Sequence, residues 1–389
     1  MSPNKSPQRS NPPGEAHRLA DTLALHAISD YDAEKSSQAH LVEVSVKSIS
    51  RGGQQIKNSY TSLMRRFAKV GFKQDFARSA LLPDWWVDDC EKDQSLLPDL
   101  ELRIARFLAT EISVVRDPAK KLVVPAYPGA QLRRVGNMDR DKLAPAIHTA
   151  MQVATALVRT LDASLPRVKL PPADGLSWRQ QMKHKGSAVT LDDILDDLWN
   201  RGIPVVSLDE LPPPRFQGMA CIVANRPVIM VGYKHDEPSR VAFWTAHEAC
   251  HIAAGHCTPD HPVVDEEEDV SDNADIERTA EKYATHVLAG ADEIPKVEAD
   301  SFRDLANKAI QNEQNTGADA VTIILAWARR TNDYTTASLA AKALYRATGA
   351  RRILKEHVKR HVNMEAASEN DRILLRCVVG GADSDAIDC

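Results

Sequence analysis

Residues 240–256 read RVAFWTAHEACHIAAGH, and this stretch decides how the rest of the chain is organised. Its apolar positions fall at helical spacing, with His247, Glu248 and His251 set among them in the order H-E-x-x-H. Residues four apart on a helix differ by about 40° in direction, so the two imidazoles project from one face and can reach one ion. Glu248 points about 100° away from His247, beside the ion rather than on it, where a carboxylate can act as general base towards water. Burying two histidines and a carboxylate without partners would cost several kcal/mol, which favours a metal centre over a plain core helix.

The third ligand is not given by the motif itself. A metzincin pattern needs Gly at 254 and His at 257, and the chain has Ala254 and Cys257 there. His256 lies nine residues from His247, about 180° around a continuing helix, so it is expected to point away unless the helix breaks at Gly255. The segment ADIERTAEKYATHVLAG, from residue 274, offers a better candidate. It puts Glu277, Ala280, Glu281, Ala284 and Leu288 on one helical face, and the small alanines allow close approach to the histidine helix. Glu277 is then the expected third ligand. Glu281, one turn on, is expected to accept the outer ring N–H of a ligating histidine. An exposed acidic stripe, flanked by Arg278 and Lys282, is the other reading of the same residues, and His286 falls on the opposite face.

Upstream, IPVVSL, GMACIVA and PVIMVGY are three short strand candidates, the last two joined as a hairpin across Asn225-Arg226. TLDDILDDLWNRG before them is a helix with Thr190 as N-cap and Gly202 as its stop. Further helices are expected in SYTSLMRRFAKVGF, LELRIARFLATEI, DKLAPAIHTAMQVATALVRTL, DAVTIILAWARR, YTTASLAAKALYRA and ARRILKEHVKRHV. The expected fold is α+β and mainly α-helical: a small antiparallel three-stranded sheet packed beside the H-E-x-x-H helix, with extra helical N- and C-terminal regions. Residues 1–40, rich in Pro, Ser, Asn and charge, are expected to be a disordered tail. A helical region over 41–130, a metal domain over 140–300 and a C-terminal helical region over 301–389 follow.

The 389 residues carry 49 Lys and Arg against 54 Asp and Glu, a net charge of -5 that argues against bulk attraction to nucleic acid. Residues 41–80 are locally basic through Lys47, Arg51, Lys57, Arg65, Arg66, Lys69, Lys73 and Arg78, which suits either a DNA-facing surface or a solvated helical face. No stretch has the length of a membrane span and the start has no apolar leader, so a cytoplasmic protein is expected. The six cysteines form no C-x-x-C pair and are expected to be reduced thiols.

The order of these features resembles the ImmA/IrrE metallo-endopeptidase family. In that family a strand pair precedes an H-E-x-x-H helix, often with Thr two residues before the first His, as Thr245 stands here. A later E-x-x-A-N-x-F-A motif follows, matched by Glu277-Arg278-Thr279-Ala280-Glu281-Lys282-Tyr283-Ala284. Glu281 replaces the usual Asn or Asp, Tyr283 replaces Phe, and no helix-turn-helix is visible in the N-terminal region. The resemblance covers about residues 140–300. It implies a gluzincin-type peptidase holding one zinc per chain through His247, His251 and Glu277, with Glu248 as general base. It also implies a protein substrate, a repressor-type or antitoxin-like regulator. An edge strand from PVIMVGY or its neighbour would align such a substrate by main-chain pairing. The alternatives are a non-catalytic transcriptional regulator that binds DNA through the 41–80 segment, and a module that binds its partner without cutting it.

Overall fold

A computed structural model describes residues 58–127, 131–132, 140–182, 188–232, 236–259, 261–265 and 274–380. The expected tail, the basic positions before residue 58 and most of the acidic run at 265–269 lie outside them. The described helices are α1 (Tyr60–Lys69), α2 (Gln74–Leu81), α3 (Leu97–Phe107), α4 (Ile112–Arg116), α5 (Arg140–Thr160), α6 (Gly175–Gln181) and α7 (Leu191–Asn200). After the sheet come α8 (Pro238–Ala253), α9 (Ala274–Ala289), α10 (Phe302–Thr316), α11 (Ala320–Thr331), α12 (Tyr334–Ala343), α13 (Ala350–His361) and α14 (Glu369–Leu375). The fold is therefore mainly helical around one small sheet.

That sheet departs from the expected antiparallel trio. It is mixed, with β1 (Gln131–Leu132), β2 (Val205–Leu208), β3 (Gly218–Val223), β4 (Arg226–Gly232) and β5 (Val263–Asp265) in the spatial order β1-β5-β3-β4-β2. β3 and β4 do form a hairpin, but its turn residues are Ala224 and Asn225, both at positive φ, one position earlier than expected. β2 runs parallel to β4, pairing Val205 with Ile229 through Leu208 with Gly232. The connection after Leu208 carries the chain past β4 to start β3 beyond it, so β2 lies on the far side of β4 from β3. β4 is consequently paired along both edges and cannot take up an extended substrate. Its near-continuous burial, shared by β2, is what an interior strand requires.

Two apolar cores run through the described chain. The larger joins Leu63, Phe67 and Phe72 of the N-terminal helices to Leu157 of α5, the sheet, α8, α9 and Val378 near the C-terminal end. The smaller is built from α10, α11 and α12 around Leu305, Ile323, Ile324 and Trp327. Arg103 of α3, 8% exposed, reaches both Asp99 and Glu369 at 2.7 Å and so ties α3 to α14.

The elements that frame the site are fixed locally. α7 opens on a capping box between Thr190 and Asp193, and Gly202 follows it at φ +71°. α8 begins with Pro238 in its first turn and lies on β3 and β4. α9 packs along α8, and its Ala280 and Ala284 are both fully buried. On its other side α9 meets α6 at Gly175, where any Cβ would fall 2.8 Å from the Cβ of His286. Arg179 of α6 donates to the carbonyls of Val287 (2.6 Å) and Leu288 (3.2 Å), closing the C-terminal end of α9.

Candidate metal centre

Burial of the motif is complete: His247, Glu248 and His251 are 0% exposed and Glu277 is 6% exposed. α8 supplies the first three side chains, and the first turns of α9 supply Glu277. A carboxylate at that end of a helix is favoured by the macrodipole.

The donor atoms converge. His247 Nε2 lies 3.2 Å from Glu277 Oε2 and 3.2 Å from His251 Nε2, and His251 Nε2 lies 3.8 Å from Glu277 Oε1. Four ligands around one ion at metal–ligand distances of about 2.0–2.1 Å stand about 3.3 Å apart along the tetrahedron edges. The three side chains thus already hold the spacing of a coordination sphere, and they form a candidate metal-binding cluster. Without a cation, two imidazoles facing a carboxylate in a water-poor core would be costly, so the donor set fits a divalent ion well.

The helix end explains where His256 goes. Gly255 adopts φ +72°, and the chain closes in a Schellman arrangement: Gly255 N–H donates to Ile252 O (3.2 Å) and His256 N–H to His251 O (2.9 Å). This break turns the His256 ring back, so that its Nδ1 lies 2.9 Å from His251 Nδ1. With a cation on Nε2 of His251, its Nδ1 would carry the proton and donate to His256 Nδ1. His256 is therefore not one of the converging donors; its ring contacts that of His251. Burial lowers its pKa from the ordinary histidine value, while the Glu277 charge raises it.

Glu281, expected to hold a ring N–H, is half-buried one turn beyond Glu277, and its backbone carbonyl accepts from Thr285 Oγ1 at 2.9 Å. His286 pairs with Asp292 at 3.0 Å, apart from the donor cluster. Three buried thiols surround the site without entering the cluster. Burial pushes Cys250 up to about 12, with Glu277 adding to the shift, and it also raises Cys221, so both stay protonated. None of the five described cysteines forms a disulfide.

Two contributors were missed in the sequence. Gly218, the first residue of β3, lies against the Glu248 carboxylate so closely that a Cβ there would overlap Oε1. A glycine opening a strand is a signal of such close approach. The other is a cleft of about 310 Å³ beside the motif, lined by Gln217, Arg240, Phe243, Trp244, Leu325 and Arg329 among others. Trp244 and His247 have ring centroids 5.3 Å apart, so one lining ring of the cleft touches the donor cluster.

A second grouping, Asp192, Asp196 and His357, joins α7 to α13. There the buried His357 bonds Asp192 at 2.8 Å, both carboxylates are about half-exposed, and Arg360 lies 3.7 Å from Asp196. That is an ion-pair network. In the N-terminal region, Arg66 donates to the carbonyls of Val114, Val115 and Lys120, and Arg78 pairs with Asp88 and Glu91. Two of the basic residues thus serve internal bonding. No helix among the described residues is long and apolar enough to cross a membrane.

No family model, curated protein or solved structure matches the chain.

Proposed function

We propose that the chain is a zinc-dependent endopeptidase similar to the ImmA/IrrE metallo-endopeptidases, acting on a regulatory protein such as a DNA-binding repressor or an antitoxin. One observation carries the reading: His247, His251 and Glu277 converge at coordination spacing while Glu248, outside the donor set, is held alongside by Gly218. Two imidazole nitrogens and a carboxylate suit zinc, and sites with three protein donors are those that leave a position for water or substrate.

A cation held there would polarise the scissile carbonyl and acidify water. Glu248 accepts the proton that the attacking water loses as its oxygen bonds to the carbonyl carbon. It returns that proton to the nitrogen as the C–N bond breaks. His256 keeps His251 at the required rotation through the Nδ1 contact. A cytoplasmic setting is part of the proposal and is supported by the absence of disulfides among the described cysteines.

The substrate is identified by trapping. Immobilised, zinc-loaded Glu248→Gln should retain from host lysate a protein that the wild type releases. That protein should be cut by the wild type at one site, read by mass spectrometry, and left intact after chelation. A retained protein that the zinc-loaded wild type leaves whole would replace the peptidase reading with a binding one.

A further inference from the structure

The cleft beside the donor cluster has a composition that the hydrolytic chemistry does not require. Its floor is aromatic, from Phe243 and Trp244, and its walls bring in Arg240 of α8 and Arg329 of α11. The Arg329 guanidinium stands over the Phe243 ring, 5.5 Å from its centroid. Among the described residues no carboxylate lines the cleft, although the chain as a whole has a net charge of -5. Among the described residues neither Arg240 nor Arg329 forms an ion pair, and the buried Nε of Arg240 has no hydrogen-bond partner. This contrasts with Arg103, Arg201 and Arg346, whose heads meet carboxylates at 2.5–2.7 Å.

Position on the helix links the cleft to the reaction centre. Arg240, Phe243, Trp244 and His247 follow the i, i+3, i+4, i+7 spacing and so share one face of α8. Seven residues of helix separate Arg240 from His247 by about 10 Å along the axis. An extended peptide covers that distance in about three residues. Gln217, next in sequence to the glycine that supports Glu248, also lines the cleft.

We propose that this cleft is a specificity subsite for an acidic side chain of the polypeptide substrate, with Arg240 and Arg329 binding its carboxylate and Phe243 and Trp244 covering its aliphatic stem. The inference rests on the peptidase reading above and names the substrate feature that reading leaves open. Planar guanidiniums in a partly desolvated groove suit carboxylate recognition, and stacking on Phe243 holds the Arg329 fork in orientation. The acidic residue lies about three positions from the scissile bond.

The test uses the full-length zinc-loaded chain and a peptide library prepared by digesting a proteome. Cleavage sites should be enriched in Asp or Glu about three residues to one side. A synthetic peptide carrying the best site, and its counterpart with that acid changed to the amide, then give matched kinetics. The wild type should favour the acidic peptide roughly ten- to hundredfold in kcat/KM, mainly through KM, with the preference falling as salt rises. Arg329→Gln and Arg240→Gln should each reduce that ratio at least several-fold, and the double variant should bring it close to one. Cleavage that needs Glu248 but shows no acidic preference, or a preference unchanged in the double variant, overturns the subsite and leaves the peptidase reading standing. For a zinc-loaded chain that cuts nothing in the library, fluorescence anisotropy of a labelled Glu- and Leu-containing peptide and its Gln form separates the two ideas. Tighter binding of the acidic form, lost in the double variant, supports the cleft while the peptidase reading fails; equal binding overturns both.

Discussion

Gly218 lies directly against the carboxylate of Glu248: a Cβ at this position would overlap Oε1 and approach Cδ to 2.9 Å. The strand backbone thus acts as a backstop that fixes the proposed base from the side opposite the helix. Gly218→Ala should displace Glu248 and leave His247, His251 and Glu277 where they are. Zinc content should stay near one per chain while hydrolysis falls roughly a hundredfold or more, the scale of losing a general base. Loss of metal together with activity would show instead that the strand has shifted as a whole.

The donor cluster predicts an order of metal affinities. His247→Ala, His251→Ala and Glu277→Ala each remove a converging donor and should abolish stoichiometric zinc. His256→Ala removes only the partner of the His251 ring and should weaken binding roughly 10- to 100-fold. Glu281→Ala should also be milder than Glu277→Ala. Chelator competition measures the series, and an effect of Glu281→Ala equal to that of Glu277→Ala would make Glu281 a ligand.

Gly255→Ala tests the helix end in isolation. Nothing lies within 4 Å of the added Cβ, so the substitution introduces no clash, only the strain of an L-residue at φ +72°. That strain is about 1–2 kcal/mol, and it opposes the turn that returns His256 to His251. Melting temperature should fall by several degrees and zinc affinity should drop towards that of His256→Ala. An unchanged zinc affinity would show that the turn is not what places His256.

His148, outside the donor cluster, is a source of acid lability. Buried His148 accepts from Tyr127 Oη at Nδ1 (3.0 Å) and donates from Nε2 to Phe107 O (2.6 Å), a fully satisfied neutral ring. Burial lowers its pKa to about 4 against 6.5 for an ordinary histidine. The folded value is the lower one, so the unfolded chain binds more protons between these limits. The stability contribution is therefore complete above about pH 6.5 and is lost as pH falls towards 4, by an amount of order 3 kcal/mol. His148→Gln keeps a donor and an acceptor without titrating, so its melting temperature should fall less steeply than that of the wild type between pH 6.5 and 4.5. Parallel curves would assign the acid lability elsewhere.

The sequence carried the metal motif because four-residue spacing on a helix and small residues on a facing helix are local properties. Ala280 and Ala284 are fully buried on α9, and Glu277 arrives beside both histidines, as the spacing predicts. Partner choice in the sheet is not local. VVSL and RPVIMVG are mostly apolar and almost continuously buried, as doubly covered strands are, yet nothing in them states that the chain crosses over before β3. α10 was invisible because FRDLANKAIQNEQNT has a mostly polar surface; its caps, Ser301 and Gly317, and the neighbouring α11 and α12 stabilise it. For His256 the sequence reading depends on whether the helix continues through Gly255, and the backbone turns left-handed there, so the exception applies.

Peptide hydrolysis by Glu248→Gln beside the wild type, with zinc content measured on the same samples, tests the central claim most directly. Glu248 lies outside the converging donors, so the variant should keep about one zinc per chain and its melting temperature. Its hydrolysis of a peptide that the wild type cuts should fall roughly 100- to 10,000-fold. A variant that loses its zinc would make Glu248 a ligand, and one that retains zinc and cuts at the wild-type rate would contradict its role as the base.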